Sequence, residues 1–271
     1  MGVPLTLNRV GRTALILAVV IFSGFVVLPV AVIFLRVAGS ESWLQALGKP
    51  VVTEGLRISL LTTVLALAIT LGLGTPTAWL LARRTFPGKT LLDSVIELPM
   101  VLPPAVAGIG LLMAFGRRGL LGPPLESVGI TIGFTTVAVV MAQTFVSAPF
   151  YVRAARAGFL AVDQELETVS YTLGVSPWLT FWRVTVPVAL PFLVSGAAMC
   201  WARALGEFGA TIMFAGSFQG RTQTMPLAIY TALESDLDSA LALSAILVVA
   251  SFVLLIGLRL GVGRLNGGSG A

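Results

Sequence analysis

The chain has 271 residues, of which 56% are hydrophobic and 11% charged, and its formal net charge is +5. Soluble domains carry about 25% charged residues, so this composition excludes a water-facing globular surface and implies an all-α protein that crosses a membrane several times. The single cysteine and the absence of histidine exclude a disulfide framework, a cysteine-cluster metal site and the nucleophile pairs that depend on histidine.

Crossing the hydrocarbon core takes about 20 apolar residues as a helix. Six stretches qualify: 13–37, 56–82, 95–115, 130–152, 188–215 and 239–262. The first follows Arg9 and Arg12, but its apolar run exceeds the roughly 7–15 residues of a signal-peptide core, so it is read as a retained span. With the N-terminus inside, ten Lys and Arg fall on inner segments and six on outer ones, which predicts N-in and C-in. The same inner-side gathering accounts for the positive balance, so no nucleic acid is expected as a partner. Residues 1–54 form the tail, first span and outer loop. The core follows over 55–258, and 259–271, ending in Gly-Gly-Ser-Gly-Ala, reads as a flexible inner tail.

Between the second and third spans, Gly88-Lys89-Thr90 resembles the end of a phosphate loop. The loop's first glycine would fall where Arg83 stands, so the chain holds no nucleotide-binding motif and Lys89 is a loop cation. The third span contains Pro99, Pro103 and Pro104, with Gly108 just beyond. Each proline frees a carbonyl that membrane depth tolerates only against protein or a water-filled cavity. A packing kink and a lining of a pathway both satisfy this. The pair Arg117–Arg118 follows.

Residues 163–187 separate the fourth and fifth spans. Leu166, Val169 and Leu173 fall at i, i+3 and i+7, one apolar stripe on a short helix. Asp163, Glu165 and Glu167 crowd its start, where a helix N-terminus favours negative charge. Gly174 supplies the stop. Ser176 and Pro177 then read as N-cap and first residue of a second helix, which carries Trp178, Phe181 and Trp182 toward Pro187. An amphipathic element resting on headgroups fits this pattern, as does a knob that docks into a soluble partner's groove. A DNA-binding helix-turn-helix does not fit, because Arg183 is the one base of the second helix.

In the fifth span, Arg203 and Glu207 lie i, i+4 on one face. They form either a structural ion pair or a charge that draws an anion into the outer half of a path. Beyond it, 216–239 is too long and polar to be a minimal turn, and it reads as a packed loop or a docking surface.

The 163–187 stretch resembles the EAA loop of ABC-importer permeases: Gly174, nine residues, then Val184-Thr185-Val186-Pro187 match the family's Gly, nine residues and Ile-x-Leu-Pro. Thr168-Val169-Ser170 stands where that family has Glu-Ala-Ala, with Glu167 one place early. Glu97–Gly122, Ala142–Phe150 and Arg203–Tyr230 are similar to molybdate-type permeases, a branch that also takes tungstate and lies close to sulfate permeases. The resemblance implies a type I fold of six transmembrane helices with cytoplasmic coupling helices. It implies a homodimer with two ATPase subunits that carry the ATP and Mg, none in this chain, and an extracytoplasmic oxyanion-binding protein. A chain of this kind is not itself an enzyme. Glu165, Glu167, Thr168, Leu173, Gly174, Ser176, Pro177, Trp178 and Pro187 would then couple to the ATPase. Pro99, Pro103, Pro104, Gly108, Ser195, Arg203, Glu207 and Thr211 would border the path. Arg117, Arg118, Gln219 and Arg221 would meet the binding protein. A sulfate permease and, in another class, a secondary oxyanion transporter using Glu207 or Glu97 are the competing readings.

Overall fold

The computed structural model describes residues 9–39 and 48–267, and every regular element among them is helical. In chain order these are α1 (Arg9–Ala38), α2 (Pro50–Arg83), α3 (Lys89–Val101), α4 (Pro104–Phe115), α5 (Gly122–Ser127) and α6 (Thr136–Ala161). Next come α7 (Gln164–Thr172), α8 (Pro177–Thr180), a π-helical turn (Phe181–Thr185) and α9 (Val186–Leu205). The chain closes with α10 (Gly209–Ala215), α11 (Met225–Leu233) and α12 (Leu237–Gly267).

Four helical runs are long and apolar enough to cross a membrane: Gly11–Ala38, Pro50–Arg83, Thr136–Ala161 and Pro177–Leu205. A fifth arises if α3 and α4, bent by 117° at Leu102–Pro103, make one span. Against six expected crossings, the described helices therefore supply four or five. The sixth stretch is helical within α12, whose described apolar part is Leu237–Val253. Helix α12 also continues through Gly267, over most of the stretch read as a tail, while 268–271 lie outside the described residues.

Two expected spans break, each for a local reason. Pro103 and Pro104 cannot donate the backbone bonds that would continue α3, so α4 starts afresh at Pro104. The fifth stretch ends as α9 at Leu205, and Gly206–Phe208 separate it from the short α10. The two resumed pieces, α4 and α10, pack on each other. A Cβ at Gly108 would lie 2.6 Å from the Ala210 carbonyl oxygen, so only glycine permits the crossing.

The remaining packing centres on α6, which lies between α2 and α9. Leu81, Tyr151, Phe159, Ala189 and Cys200 are buried together at that junction, and Ala107, Val139, Ala142 and Phe214 form a second cluster with α4 and α10. A third, built from Val52, Met225, Ala228 and Leu243, seats α11 and α12 on the start of α2. Lipid is as apolar as these side chains, so hydrogen bonds between helices add definition. Tyr151 Oη and Thr75 Oγ1 lie 2.6 Å apart, and Trp201 Nε1 donates to Thr63 Oγ1 at 3.0 Å. Met225 N donates to the buried Ser59 Oγ at 2.7 Å.

At the end of the bundle where α2 and α12 begin, Lys49 Nζ sits 3.0 Å from Asp236 Oδ2. Asp236 Oδ1 also accepts from the backbone amides of Asp238 and Ser239 at the start of α12. Hydrogen bonds from Ser239, then Lys49, lower the Asp236 carboxyl from 3.8 to about 2.

Two outcomes are expected. Gly108→Val should lower the unfolding temperature in detergent, at a cost of about 1–3 kcal/mol for overpacking; an unchanged melting curve would contradict the close α4–α10 approach. Because the folded Asp236 carboxyl titrates below its unfolded value, its stabilisation is full above pH 3.8 and fades as pH falls toward about 2. Asp236→Asn should thus melt lower than the parent at pH 7, with the gap closing on acidification.

Candidate functional site

A run of exposed apolar side chains lies on the elbow between α6 and α9. Asp163 caps α7, its carboxylate accepting from Glu165 N at 2.9 Å. Gly174 turns the chain with φ +78°, the left-handed conformation that glycine adopts without penalty. Ser176 caps α8, accepting from Leu179 N, and Pro177 is its first residue. The two arms are tied by a buried hydrogen bond between Ser170 Oγ and Thr180 Oγ1, 2.9 Å.

The second arm differs from a separate short helix. Helix α8 passes through the π-helical turn directly into α9, so Pro177–Leu205 is one continuous run. Pro187 has no N–H for the carbonyl one turn earlier, and the chain widens there: Val186 N donates to Phe181 O, five residues back.

Leu166, Val169, Leu173 and Trp178 all face outward, Leu173 at 76% and Trp178 at 70% exposure. Trp178 stacks on Phe181 at 6.4 Å between ring centroids, and Phe181 meets Trp79 edge-on at 6.1 Å. With Pro76 and Pro177 these rings line an apolar cavity of about 340 Å³. Glu165 and Thr168 are exposed on the same arm, and Pro187 is exposed at the start of α9.

Glu167 is the exception. Its side chain is only 12% exposed, and Oε1 accepts from Arg83 Nη2 at 2.8 Å and from Thr185 Oγ1 at 2.7 Å. Arg83, itself 7% exposed, also donates to Val162 O at 3.2 Å. The carboxylate is therefore spent inside the chain, stitching α7 to the end of α2, the cap of α6 and the π-helical turn. A second ion pair at this end joins Arg156 of α6 to Asp93 of α3.

The residues expected to border a path separate into one cluster and two outliers. At the break after α9, Glu207 is 1% exposed; Oε1 accepts from Ala210 N at 2.8 Å, and Arg203 Nη1 lies 2.8 Å from Oε2. Gly209 abuts Pro104 and Gly108 abuts Ala210, which brings Pro103, Pro104, Gly108 and Glu207 to one crossing. Thr211 is buried in α10. Pro99 lies buried within α3, before the bend, and Ser195 is exposed in the middle of α9.

At the end of the bundle opposite the elbow, Arg117 and Arg221 line one cavity of about 320 Å³ with Glu126, Thr131 and Thr135. Arg117 Nε lies 3.5 Å from Glu126 Oε1, an exposed and loose pair. Arg118 and Gln219 are exposed nearby in sequence.

Sequence reasoning missed the Arg83–Glu167–Thr185 node. Arg83 enters there only as the residue in place of a phosphate loop's first glycine, and no spacing rule links it to a carboxylate 84 residues away. The pair Arg156–Asp93 is invisible for the same reason.

A bundle of apolar helices with an exposed, glycine-hinged elbow at one end and arginine-lined loops at the other belongs to a class of transport components. The chain is a member of the family of binding-protein-dependent transport system inner membrane components, whose model matches residues 71–262. It is a multi-pass membrane permease subunit. It is 44% identical over 233 residues to the molybdenum transport system permease protein ModB of Mycobacterium tuberculosis, covering 86% of this chain and 88% of that one. It is 36% identical over 236 residues, 86% and 82% of the two chains, to a probable sulfate transport system permease protein cysT of Chlorokybus atmophyticus. In fold it resembles a bacterial ABC transporter involved in importing the acidic polysaccharide alginate, with a TM-score of 0.74, 14% identity, and 93% and 95% of the chains covered.

Replacing Ser170 by Val would leave the Thr180 hydroxyl buried without its partner, at a cost of about 1–3 kcal/mol. The expected result is faster amide hydrogen exchange across 170–180 with the rest of the bundle unchanged. Equal protection of the elbow would show that the Ser170–Thr180 bond does not hold it.

Proposed function

We propose that the chain is the membrane permease of an ATP-driven importer for molybdate or tungstate, working as a homodimer with two separate ATPase subunits. ATP and Mg are bound by those subunits, and this chain contributes no catalytic residue. The observation that carries the reading is the elbow: four apolar side chains stand exposed around a left-handed glycine, next to a rigid tie into the bundle. An apolar, protruding corner suits a groove on a soluble partner. The 44% identity to a molybdenum permease supports the substrate.

In this reading the N-terminus, elbow and C-terminus face the cytoplasm. The cavity lined by Arg117 and Arg221 faces outward and, with Arg118 and Gln219, receives a binding protein that carries the high-affinity anion site. The path past Pro103, Pro104, Ser195, Arg203 and Thr211 then has to be a weak one, because a dianion held tightly at mid-membrane would not leave. ATP drives the ATPase subunits together, the elbows move with them, and the helices tilt to open the path outward. Sulfate is the second reading, supported by the cysT relative.

Gly174→Asp tests the coupling role. A Cβ there meets nothing within 4 Å, so the cost is confined to about 1–2 kcal/mol of left-handed strain. Folding and membrane insertion should survive while ATP-dependent molybdate uptake and ATPase co-purification are lost. Uptake equal to that of the parent would refute the role. Uptake into proteoliposomes should persist when the proton gradient is collapsed, and its loss would favour a secondary transporter. Competition by excess sulfate against labelled molybdate separates the two anion readings.

A further inference from the structure

The geometry points to Glu167 and Arg83 as positioning residues that lock the elbow to the bundle as one moving body, with Glu167 acting inside the chain rather than on a partner. This inference rests on the docking role proposed for the elbow and names how its movement is passed on.

Four elements meet at the Arg83–Glu167 pair. The Arg83 guanidinium is carried by the end of α2, donates to the α6 cap at Val162 O, and holds the Glu167 carboxylate of α7, which in turn accepts from Thr185 in the π-helical turn. Both charged side chains are nearly buried, at 7% and 12% exposure, so solvent and salt screen them little. The joint is also specific in direction. A single carboxylate oxygen, Oε1, takes both the guanidinium and the hydroxyl, fixing α7 relative to α2 and to the root of α9 at once.

The opposite face of α7 is different. Leu166, Val169 and Leu173 are exposed, and around Gly174 there is open space. The elbow therefore has a free outer surface and a clamped inner one. A force applied to the outer surface reaches α2 and α9 through the clamp; without it, α7 would keep its Ser170–Thr180 tie to the run that becomes α9 but lose its side-chain hold on α2. Buried in this way, Glu167 is unavailable to a partner, whereas Glu165, exposed two residues earlier beside the exposed cap Asp163, can face one.

The test uses the permease assembled with its ATPase and binding protein in proteoliposomes. Glu167→Gln keeps the side chain's shape and its acceptor for Thr185 but removes the charge; Arg83→Lys keeps the charge but loses the planar fork. Both should retain ATPase co-purification and ATP hydrolysis, while molybdate imported per ATP hydrolysed falls about tenfold. Thr185→Val should fall in the same direction, and the exchange Arg83→Glu with Glu167→Arg should recover part of the ratio. An unchanged import-to-hydrolysis ratio in Glu167→Gln would overturn the inference. So would loss of co-purification in Glu167→Gln with retention in Arg83→Lys, since Glu167 would then be touching the ATPase. Absence of co-purification from the unaltered chain would instead count against the docking role itself.

Discussion

Where an apolar helix stops, its first amides and last carbonyls need partners, because hydrocarbon offers none. The breaks in this bundle meet that constraint from within. After α4, the amides of Leu120 and Leu121 return to the carbonyls of Met113 and Ala114. The start of α10 is capped by the Glu207 carboxylate through Ala210 N, and its end is closed by Phe134 N on Phe214 O. Phe134 takes a φ of 61° to make that contact, an uncommon conformation for a bulky residue, and its ring rests against Phe218. The half-helices α4 and α10 and the loops beside them are thereby fixed as one assembly, with Gly108 allowing the two backbones to meet.

The two ends of the bundle are built with different stiffness. At the elbow, Arg83 and Glu167 are nearly out of water, and breaking such a buried pair costs about 3–5 kcal/mol because the remaining charge is stranded. At the other end the pairs Arg117–Glu126 and Lys49–Asp236 are both exposed, where water and salt screen the attraction. One end can therefore carry force, while the other can rearrange around a visitor at little cost. On the proposed function, that asymmetry suits a permease driven at the elbow and loaded through its arginine-lined loops.

How much of this was legible in the sequence depended on the range of the interaction. Gly174, Ser176 and Pro177 announce their own conformations, and the structure has each as read: left-handed turn, N-cap and first helical residue. Pro103 and Pro104 announced a disturbance, though not a bend of 117°. The outward apolar stripe of Leu166, Val169 and Leu173 followed from helical period alone. What stayed hidden was tertiary. Glu167 read as one more acid at a helix start and, by resemblance, as a residue coupling to the ATPase, and nothing within a few residues of it reveals Arg83 or Thr185. The break at Gly206–Phe208 was also hidden, since Gly206 is a lone glycine in an otherwise apolar run and Glu207 looked like half of an i, i+4 pair.

Glu207 in fact answers two demands with one carboxylate. One oxygen caps α10, placing negative charge where a helix N-terminus favours it; the other faces Arg203. An arginine left alone there would be expensive in the bundle and, on the proposed function, would hold a passing dianion too strongly to release it. Pairing it reduces the local field to that of a dipole while leaving the Arg203 side chain 29% exposed. The same residue that makes the helix break tolerable thus sets how weakly the break attracts charge. On the proposed function, fold and permeation are joined at that point by a single side chain.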